Sequence, residues 1–129
     1  MPFDATISAE IWNAKYRFLN EGSDGDADVE GTWSRVAAAI AEAEPGRGRR
    51  HWREKFNDAL MDFQFLPAGR IIAGAGTGRA VTLFNCFVMG TIPDNLDGIF
   101  EHLREAALTM QQGGGVGMDF STKIGRAHV

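Results

Sequence analysis

Cys86 is the residue whose side chain best suits chemistry, because a thiol can act as a nucleophile, a hydrogen donor or half of a disulfide. It is the only cysteine in the 129 residues, so no disulfide can form within the chain. The run VTLFNCFVMG around it predicts a buried strand, in which Asn85 and Cys86 point to opposite faces. A lone cysteine in such a strand is more often a small core residue than a reactive group, so the residue alone leaves both interpretations open.

Two glycine clusters are the next candidates, since glycine lets backbone amides approach a phosphate closely. Gly74, Gly76 and Gly78 lead into a strand rather than a helix, so they do not match a dinucleotide-binding fingerprint, and no Gly-Lys-Ser/Thr follows. The segment from Gly113 to Gly117 holds four glycines in five residues, where one would suffice to end a helix. This excess indicates that a backbone or a ligand passes close by.

The charged and metal-binding residue types give weaker signals. Asp94 precedes a predicted helix, where it can cap the helix or help its N-terminus to bind a phosphate or ribose group. The aspartates at positions 24, 26 and 28 resemble the start of a calcium loop, but the required glycine and glutamate do not follow at EF-hand spacing. The three histidines show no metal-ligand spacing either, so the sequence predicts no metal site; they are His51, His102 and His128.

The elements that must position these residues are predicted from apolar periodicity. Three helices come first: one capped by Ser8 and extending to Leu19, one capped by Thr32 and extending to Glu44, and one that follows the basic run RGRRHWREK. We interpret this basic run as a solvated helix start rather than a phosphate-binding patch, because acidic residues alternate with it. The apolar stripe of the third helix comprises Trp52, Phe56, Ala59, Leu60 and Phe63.

The pattern changes at Phe65, where a glycine-rich loop precedes the strand at 81–90. A turn at 93–95, a helix at 95–112 and a strand in VGMDF follow. The apolar stripe predicted for this helix comprises Leu96, Ile99, Phe100, Leu103, Ala106, Ala107 and Met110. Helices followed by strand, helix and strand predict a helical region and then the first unit of an α/β domain.

Composition excludes several classes of function. The net charge is −4, so no overall positive field is present to attract nucleic acid or an anionic membrane. No apolar run approaches the roughly 18 residues of a membrane span, and the first residues do not form a signal peptide. With a single cysteine, these features favour a cytoplasmic protein.

Three segments taken together resemble a ribonucleotide reductase of the adenosylcobalamin-dependent class: FQFLPAGRIIAGAGT, VTLFNCFVMGTIPDNLDGIFEHL and ALTMQQGGGVGMDFS. IWNAKYRF and the helical region before the first segment are similar to that class too, so the resemblance covers residues 7 to 122. It implies an α/β fold, a ten-stranded barrel preceded by a helical region. Residues 1–64 are then the helical region, and residues 65–122 contain the first strand-helix-strand unit of the barrel.

The resemblance also implies an activity, the radical-based reduction of ribonucleotides to 2′-deoxyribonucleotides with adenosylcobalamin as the radical source. Cys86 matches one of two redox-active cysteines, and Asn85 and Gly115 match residues beside the substrate. The segment Asp94, Asn95 and Leu96 matches the site of a deoxynucleotide or ATP effector, which lies at a homodimer interface in the family. A thioredoxin- or glutaredoxin-type protein is the implied reductant.

Three departures from the family pattern stand out, and the first is Asn95, which replaces a more usual serine. PAGRII replaces a proline-threonine pair whose threonine helps to hold the substrate, and Arg70 is a candidate to bind a phosphate instead. The last seven residues, KIGRAHV, look like translated sequencing adapter, so we expect 123–129 to be non-native and the natural chain to continue. The chain as given is then expected to be inactive and poorly folded.

Two alternatives remain open at this point. The same segment could belong to the large subunit of an iron- or manganese-radical reductase, because the radical source is not encoded in these residues. A small helical binding module with glycine-rich ligand loops is the alternative from a different class of protein. That module would tolerate replacement of Cys86 by serine.

Overall fold

The computed structural model describes residues 3, 5–20 and 25–122. The chain forms two compact units, Met1–Arg79 and Ala80–Val129. The change of pattern at Phe65 thus lies within the first unit. The predicted adapter segment 123–129 and Asp24 of the calcium hypothesis lie outside the described residues.

The first unit is helical. Its helices are α1 (Thr6–Ile11), which continues as a π-helical turn (Trp12–Tyr16), α2 (Val29–Ala41), α3 (Arg49–Leu60), which continues as a 3-10 turn (Met61–Phe63), and α4 (Gly69–Gly74). All three helices expected from apolar periodicity are present, with shifted ends. The helix α4 was not predicted, because Gly69 and Gly74 made this segment resemble a loop. Ile72 of α4 is nevertheless buried in the core of this unit.

Both predicted helix caps of this unit are wrong. Ser8 lies inside α1, and the helix begins after Ala5 without a side-chain cap. Asp28 rather than Thr32 caps α2, because its carboxylate accepts a hydrogen bond from the Gly31 amide at 2.8 Å. Thr32 is fully buried, one turn into the helix, and its hydroxyl donates to the carboxylate of Asp26 at 2.7 Å.

The helix predicted to reach Leu19 ends at Tyr16 for a tertiary reason. Phe18 forms two hydrogen bonds with Asp26 instead of continuing the helix. Its amide donates to the Asp26 carboxylate at 3.0 Å, and its carbonyl accepts from the Asp26 amide at 2.8 Å. The third helix stops where Asp62 and Phe63 adopt left-handed backbone angles, with φ of 53° and 58°. That turn directs Phe63 to pack edge-on against Trp33, with ring centroids 5.7 Å apart.

The core of the first unit combines an apolar cluster with one buried ion pair. The buried cluster comprises Val29, Trp33, Val36, Ala37, Leu60, Ile72 and Ala75. Beside it, Arg35 pairs with Asp26, and the Arg35 guanidinium also donates to the carbonyls of Ile72 and Ala75 at the end of α4. This pair therefore connects α2 and the segment before it to the end of α4, which is 37 to 40 residues away in sequence.

The second unit contains β1 (Cys86–Thr91), α5 (Leu96–Gln111) and β2 (Gly115–Asp119). The two strands are parallel neighbours, and α5 is the crossover between them. This is the predicted strand-helix-strand order, and it makes the chain a helical region followed by a small α/β unit. The strand begins at Cys86 instead of residue 81, and a register irregularity separates Val88 from Thr91.

Burial in the second unit differs from the prediction. Val88 is 91% exposed and Cys86 is exposed, because α5 covers one face of the two-stranded sheet and the described residues of this unit place nothing on the other. Most of the predicted apolar stripe of α5 is exposed as well, including Leu96, Phe100 and Leu103. Only a narrow strip of the helix, centred on buried Ala106, meets a sheet of this width. Among the described helices, none is long and apolar enough to cross a membrane.

Candidate functional site

Cys86 and Gly115 are the first residues of the two strands, and they are paired across the sheet. The Gly115 amide donates to the carbonyl of Asn85 at 2.8 Å, so all three predicted substrate residues meet at one point. A Cβ atom built on Gly115 would lie 3.5 Å from the Cys86 sulfur. The backbone of β2 therefore borders the thiol directly.

The thiol lies on an open face of the sheet, contrary to the buried position predicted for it. Residues alternate along both strands, so that Phe87 and Met89 are half-buried while Cys86 and Val88 are exposed. Gly115 pairs with Cys86, and Gly117 pairs with Val88. With glycines at both partner positions, β2 presents bare backbone on this face, and a flat ligand can approach the thiol without meeting a side chain.

The glycine excess at 113–117 has separate physical causes. Gly113 has a φ of 88° and ends α5 in a Schellman motif, in which its amide donates to Met110 and the Gly114 amide donates to Thr109. Gly114 is buried, and a Cβ atom on it would lie 2.7 Å from the Phe87 ring. Gly115 and Gly117 keep the open face bare. The sequence had indicated that a backbone or a ligand passes close to these glycines. In the structure the close neighbour is β1, where Phe87 lies against Gly114 and Cys86 lies against Gly115.

The predicted effector residues follow the opposite end of β1, a strand that spans about 17 Å. Asn95 caps α5, because its side-chain oxygen accepts a hydrogen bond from the Gly98 amide at 2.7 Å. Asp94, the residue singled out as a cap from the sequence, precedes it. Leu96 is 74% exposed on the first turn of the helix. The three residues thus form the start of α5, as predicted, and they are not part of the cluster around Cys86.

A polar cluster joins the carboxyl ends of the strands, and sequence reasoning missed it. The Asp119 carboxylate accepts hydrogen bonds from the Ser121 amide and the Thr91 hydroxyl, both at 2.8 Å. These hydrogen bonds lower the pKa of Asp119 below its ordinary value, and the bond from the Ser121 amide contributes most. The Thr122 hydroxyl donates to the carbonyl of Ile92 at 2.6 Å. The Asp-Phe-Ser sequence could have predicted part of this cluster, because an aspartate in a turn often accepts a hydrogen bond from the backbone amide two residues later.

The first glycine cluster serves the helical unit. Gly76 and Gly78 have φ values of 73° and 68°, and a Cβ atom on Gly76 would lie 2.9 Å from the Arg35 side chain. These glycines therefore form a turn that packs on Arg35. Arg70, the candidate phosphate ligand, belongs to α4, and its buried Nε has no hydrogen-bond partner among the described residues.

The described residues contain no group of three or more His, Cys, Asp or Glu side chains that could hold a metal ion. Asp26 and Asp28 of the calcium hypothesis are engaged with Arg35 and the Gly31 amide. Their roles in this structure are structural.

A helical region followed by a parallel strand-helix-strand unit, with a cysteine beside a glycine-rich strand, is the arrangement expected for the beginning of a ribonucleotide reductase catalytic chain. Comparison with protein families agrees along most of the chain. The family described as the ribonucleotide reductase all-alpha domain matches residues 3–80, and the one described as the ribonucleotide reductase barrel domain matches residues 84–126. The chain belongs to the ribonucleotide reductase family.

Similar curated proteins include two named vitamin B12-dependent ribonucleoside-diphosphate reductase. The protein from Mycobacterium tuberculosis is 42% identical over 86 residues, which cover 67% of this chain and 12% of that protein. The one from Thermoplasma acidophilum is 31% identical over 112 residues, 87% of this chain and 14% of that protein. A ribonucleoside-diphosphate reductase subunit alpha from Helicobacter pylori is 39% identical over 67 residues, 52% of this chain and 8% of that protein. The chain thus corresponds to a small part of these relatives.

Proposed function

We propose that this chain is part of an adenosylcobalamin-dependent ribonucleotide reductase, which converts ribonucleotides to 2′-deoxyribonucleotides. The observation that carries the proposal is the pairing of Cys86 with Gly115, which places an exposed thiol beside a strand whose face is bare at Gly115 and Gly117. Family membership supports the reaction class, and the names of the two vitamin B12-dependent relatives support the cofactor. Those names specify diphosphates; for this protein we propose a ribonucleoside di- or triphosphate as substrate.

In this proposal Cys86 is one of the two redox-active thiols. The net reaction removes the ribose 2′-hydroxyl as water and puts hydrogen in its place, while two thiols lose two electrons and two protons and close to a disulfide. The sequence contains one cysteine, so the second thiol belongs to another part of the complete enzyme and the chain alone is inactive. A thioredoxin- or glutaredoxin-type protein then reduces the disulfide by thiol–disulfide exchange.

Asn85 and Gly115 are the proposed substrate-positioning residues. Their backbones are hydrogen-bonded to each other, which holds both strand starts in place. The bare backbone of Gly115 lets the ribose approach to within contact distance of the Cys86 thiol. Bound adenosylcobalamin would supply the radical that starts the reaction, and we assign none of the described residues to it.

The start of α5 is the proposed effector site, where a deoxynucleotide or ATP selects the substrate. Asp94, Asn95 and Leu96 are its residues, and exposed Leu96 and Phe100 are suited to burial between two copies in a homodimer. The side-chain oxygen of Asn95 already accepts from Gly98, so its amide nitrogen is the group available to an effector. We further propose that the complete enzyme is cytoplasmic and that residues 123–129 are non-native. Reading the source DNA through codon 122 tests the second point.

The test of the function is an assay of the complete catalytic chain with adenosylcobalamin, a dithiol reductant and no second protein subunit. We expect deoxynucleotide formation, and its loss in Cys86→Ser with no change in melting temperature. Activity that requires an added metal-radical subunit would instead assign the protein to the iron- or manganese-radical reductases. Full activity of Cys86→Ser would contradict the redox role and favour a binding module.

A further inference from the structure

Gly114 lies where the structure leaves no room for a side chain. A Cβ atom built on it would be 2.7 Å from Cε2 and 2.9 Å from Cδ2 of Phe87, and 2.9 Å from Cγ2 of Thr109. Distances under 3 Å between such carbon atoms are strongly repulsive, and two of these atoms belong to a rigid ring. Even a methyl group at position 114 must therefore displace Phe87, Thr109 or the backbone.

The backbone at this point has little freedom to move away. The Gly114 amide donates to the carbonyl of Thr109 at 3.0 Å, and the Gly113 amide donates to that of Met110 at 2.8 Å. One residue later, the Gly115 amide donates to Asn85 at 2.8 Å. Gly114 is thus held by the end of α5 on one side and by the start of the sheet on the other.

Phe87 connects this packing to the thiol. It follows Cys86 in β1, and its ring occupies the space above Gly114 on the covered face while the thiol lies on the open face. Where the ring cannot rotate away, we expect the clash to move the backbone of Phe87, and the Cys86 Cα with it. The register between Cys86 and Gly115 therefore depends on the contact between Phe87 and Gly114.

We infer that Gly114 is a positioning residue for the Cys86 thiol: its missing side chain lets the Phe87 ring fix β1 against β2, and so fixes the thiol relative to Gly115. The inference rests on the proposed function for its catalytic consequence, because only a reaction at Cys86 makes that position matter. It assigns a role in the thiol's geometry to a residue that touches neither the sulfur nor the proposed substrate.

The test is Gly114→Ala in the complete enzyme, with Gly46→Ala as the control, since nothing lies within 4 Å of a Cβ atom at position 46. A displacement of about 1 Å in a reacting group costs on the order of 100-fold in rate, so we expect kcat to fall at least about tenfold with KM nearly unchanged. The control should keep its kcat. In a Phe87→Ala/Thr109→Ser background the clash is gone, and adding Gly114→Ala should lower kcat by less than about twofold.

A second readout does not depend on turnover, namely the rate at which iodoacetamide alkylates Cys86 in the complete enzyme, measured on the Cys86 peptide by mass spectrometry. Gly114→Ala should change this rate several-fold, and the change should disappear in the Phe87→Ala/Thr109→Ser background. An unchanged kcat and alkylation rate in Gly114→Ala would overturn the inference, as would an equal loss in both backgrounds. A complete enzyme without activity, but with the expected alkylation pattern, would refute the proposed function and leave the packing role intact.

Discussion

Arg35 and Asp26 form a two-pronged ion pair in the helical unit, with Nε of Arg35 2.9 Å from Oδ1 of Asp26 and Nη2 2.8 Å from Oδ2. Asp26 is 5% exposed, so its charge depends on this partner and on the Phe18 amide and the Thr32 hydroxyl. The pair holds the segment after the π-helical turn against α2. Its removal should therefore loosen the whole unit rather than one surface.

The first prediction concerns the loss of this pair. Asp26→Asn leaves the Arg35 guanidinium without its counter-charge, which costs about 3–5 kcal/mol in the free energy of unfolding. Glu54→Gln is the matched control, because the Arg50–Glu54 pair is exposed and is worth about 0–1 kcal/mol. Urea unfolding followed by tryptophan fluorescence checks both, since Trp12, Trp33 and Trp52 all lie in the first unit. Equal stability of the two variants would contradict the assignment.

The second prediction is the pH dependence of the same pair. Burial alone raises the pKa of Asp26, but hydrogen bonds from Arg35, Phe18 and Thr32 and the Arg35 charge outweigh it, so the pKa is lowered below its ordinary 3.8. A group with a lowered folded-state pKa stabilises the protein above its unfolded-state pKa, and this stability is lost as pH falls through the folded-state value. The urea concentration at which half of the wild type is unfolded should therefore decrease as the pH is lowered below about 4. Asp26→Asn should show a smaller fall over that range.

The third prediction concerns access to the thiol. A methyl group at position 115 would lie 3.5 Å from the Cys86 sulfur, so Gly115→Ala should slow alkylation of Cys86 by iodoacetamide. Gly117→Ala is the control, because its methyl group would lie 4.0 Å from the Phe87 carbonyl and two pairs further along the strand. We expect a reduction of a few fold in the first variant and almost none in the second. The reverse order would show that the open face is not where the thiol is reached.

The fourth prediction separates the two roles of Asn95. Asn95→Ala removes the bond to the Gly98 amide and should destabilise the second unit by about 1 kcal/mol, measured by the midpoint of unfolding in circular dichroism. Asn95→Asp keeps a cap but replaces the amide nitrogen with a carboxylate oxygen. In the complete enzyme, Asn95→Asp should therefore keep its stability and weaken the effect of a deoxynucleotide on substrate choice. Unaltered effector responses in both variants would remove Asn95 from the proposed effector site.

The fifth prediction tests the core of the helical unit. Val36 is fully buried, so Val36→Ala should lower the free energy of unfolding by about 2 kcal/mol through lost contacts and a residual cavity. Ile40 lies one turn later on α2 and is 37% exposed, so Ile40→Ala should cost clearly less. Urea midpoints measured by tryptophan fluorescence give the comparison. A larger loss for Ile40→Ala would mean that α2 presents a different face to the core.

The sequence by itself determined the order of the elements and the candidate site. Apolar periodicity is a local property, so it located α2, α3, α5 and both strands, and the motifs around Cys86 and Gly115 indicated the family. Parallel pairing of two strand starts then brought Asn85, Cys86 and Gly115 together as predicted. The segment 94–96 was also placed correctly, at the start of α5, and its effector role stays a prediction.

Only the tertiary structure decided the features that depend on which residues meet across long distances. Thr32 and Asp28 are both good caps, and the choice between them followed from the contact of Thr32 with Asp26. Exposure of Cys86 and of the α5 stripe depends on how much surface a two-stranded sheet covers, which no local pattern contains. The need for glycine at position 114 arises because Phe87 and Thr109, far apart in sequence, occupy the space that a side chain would fill.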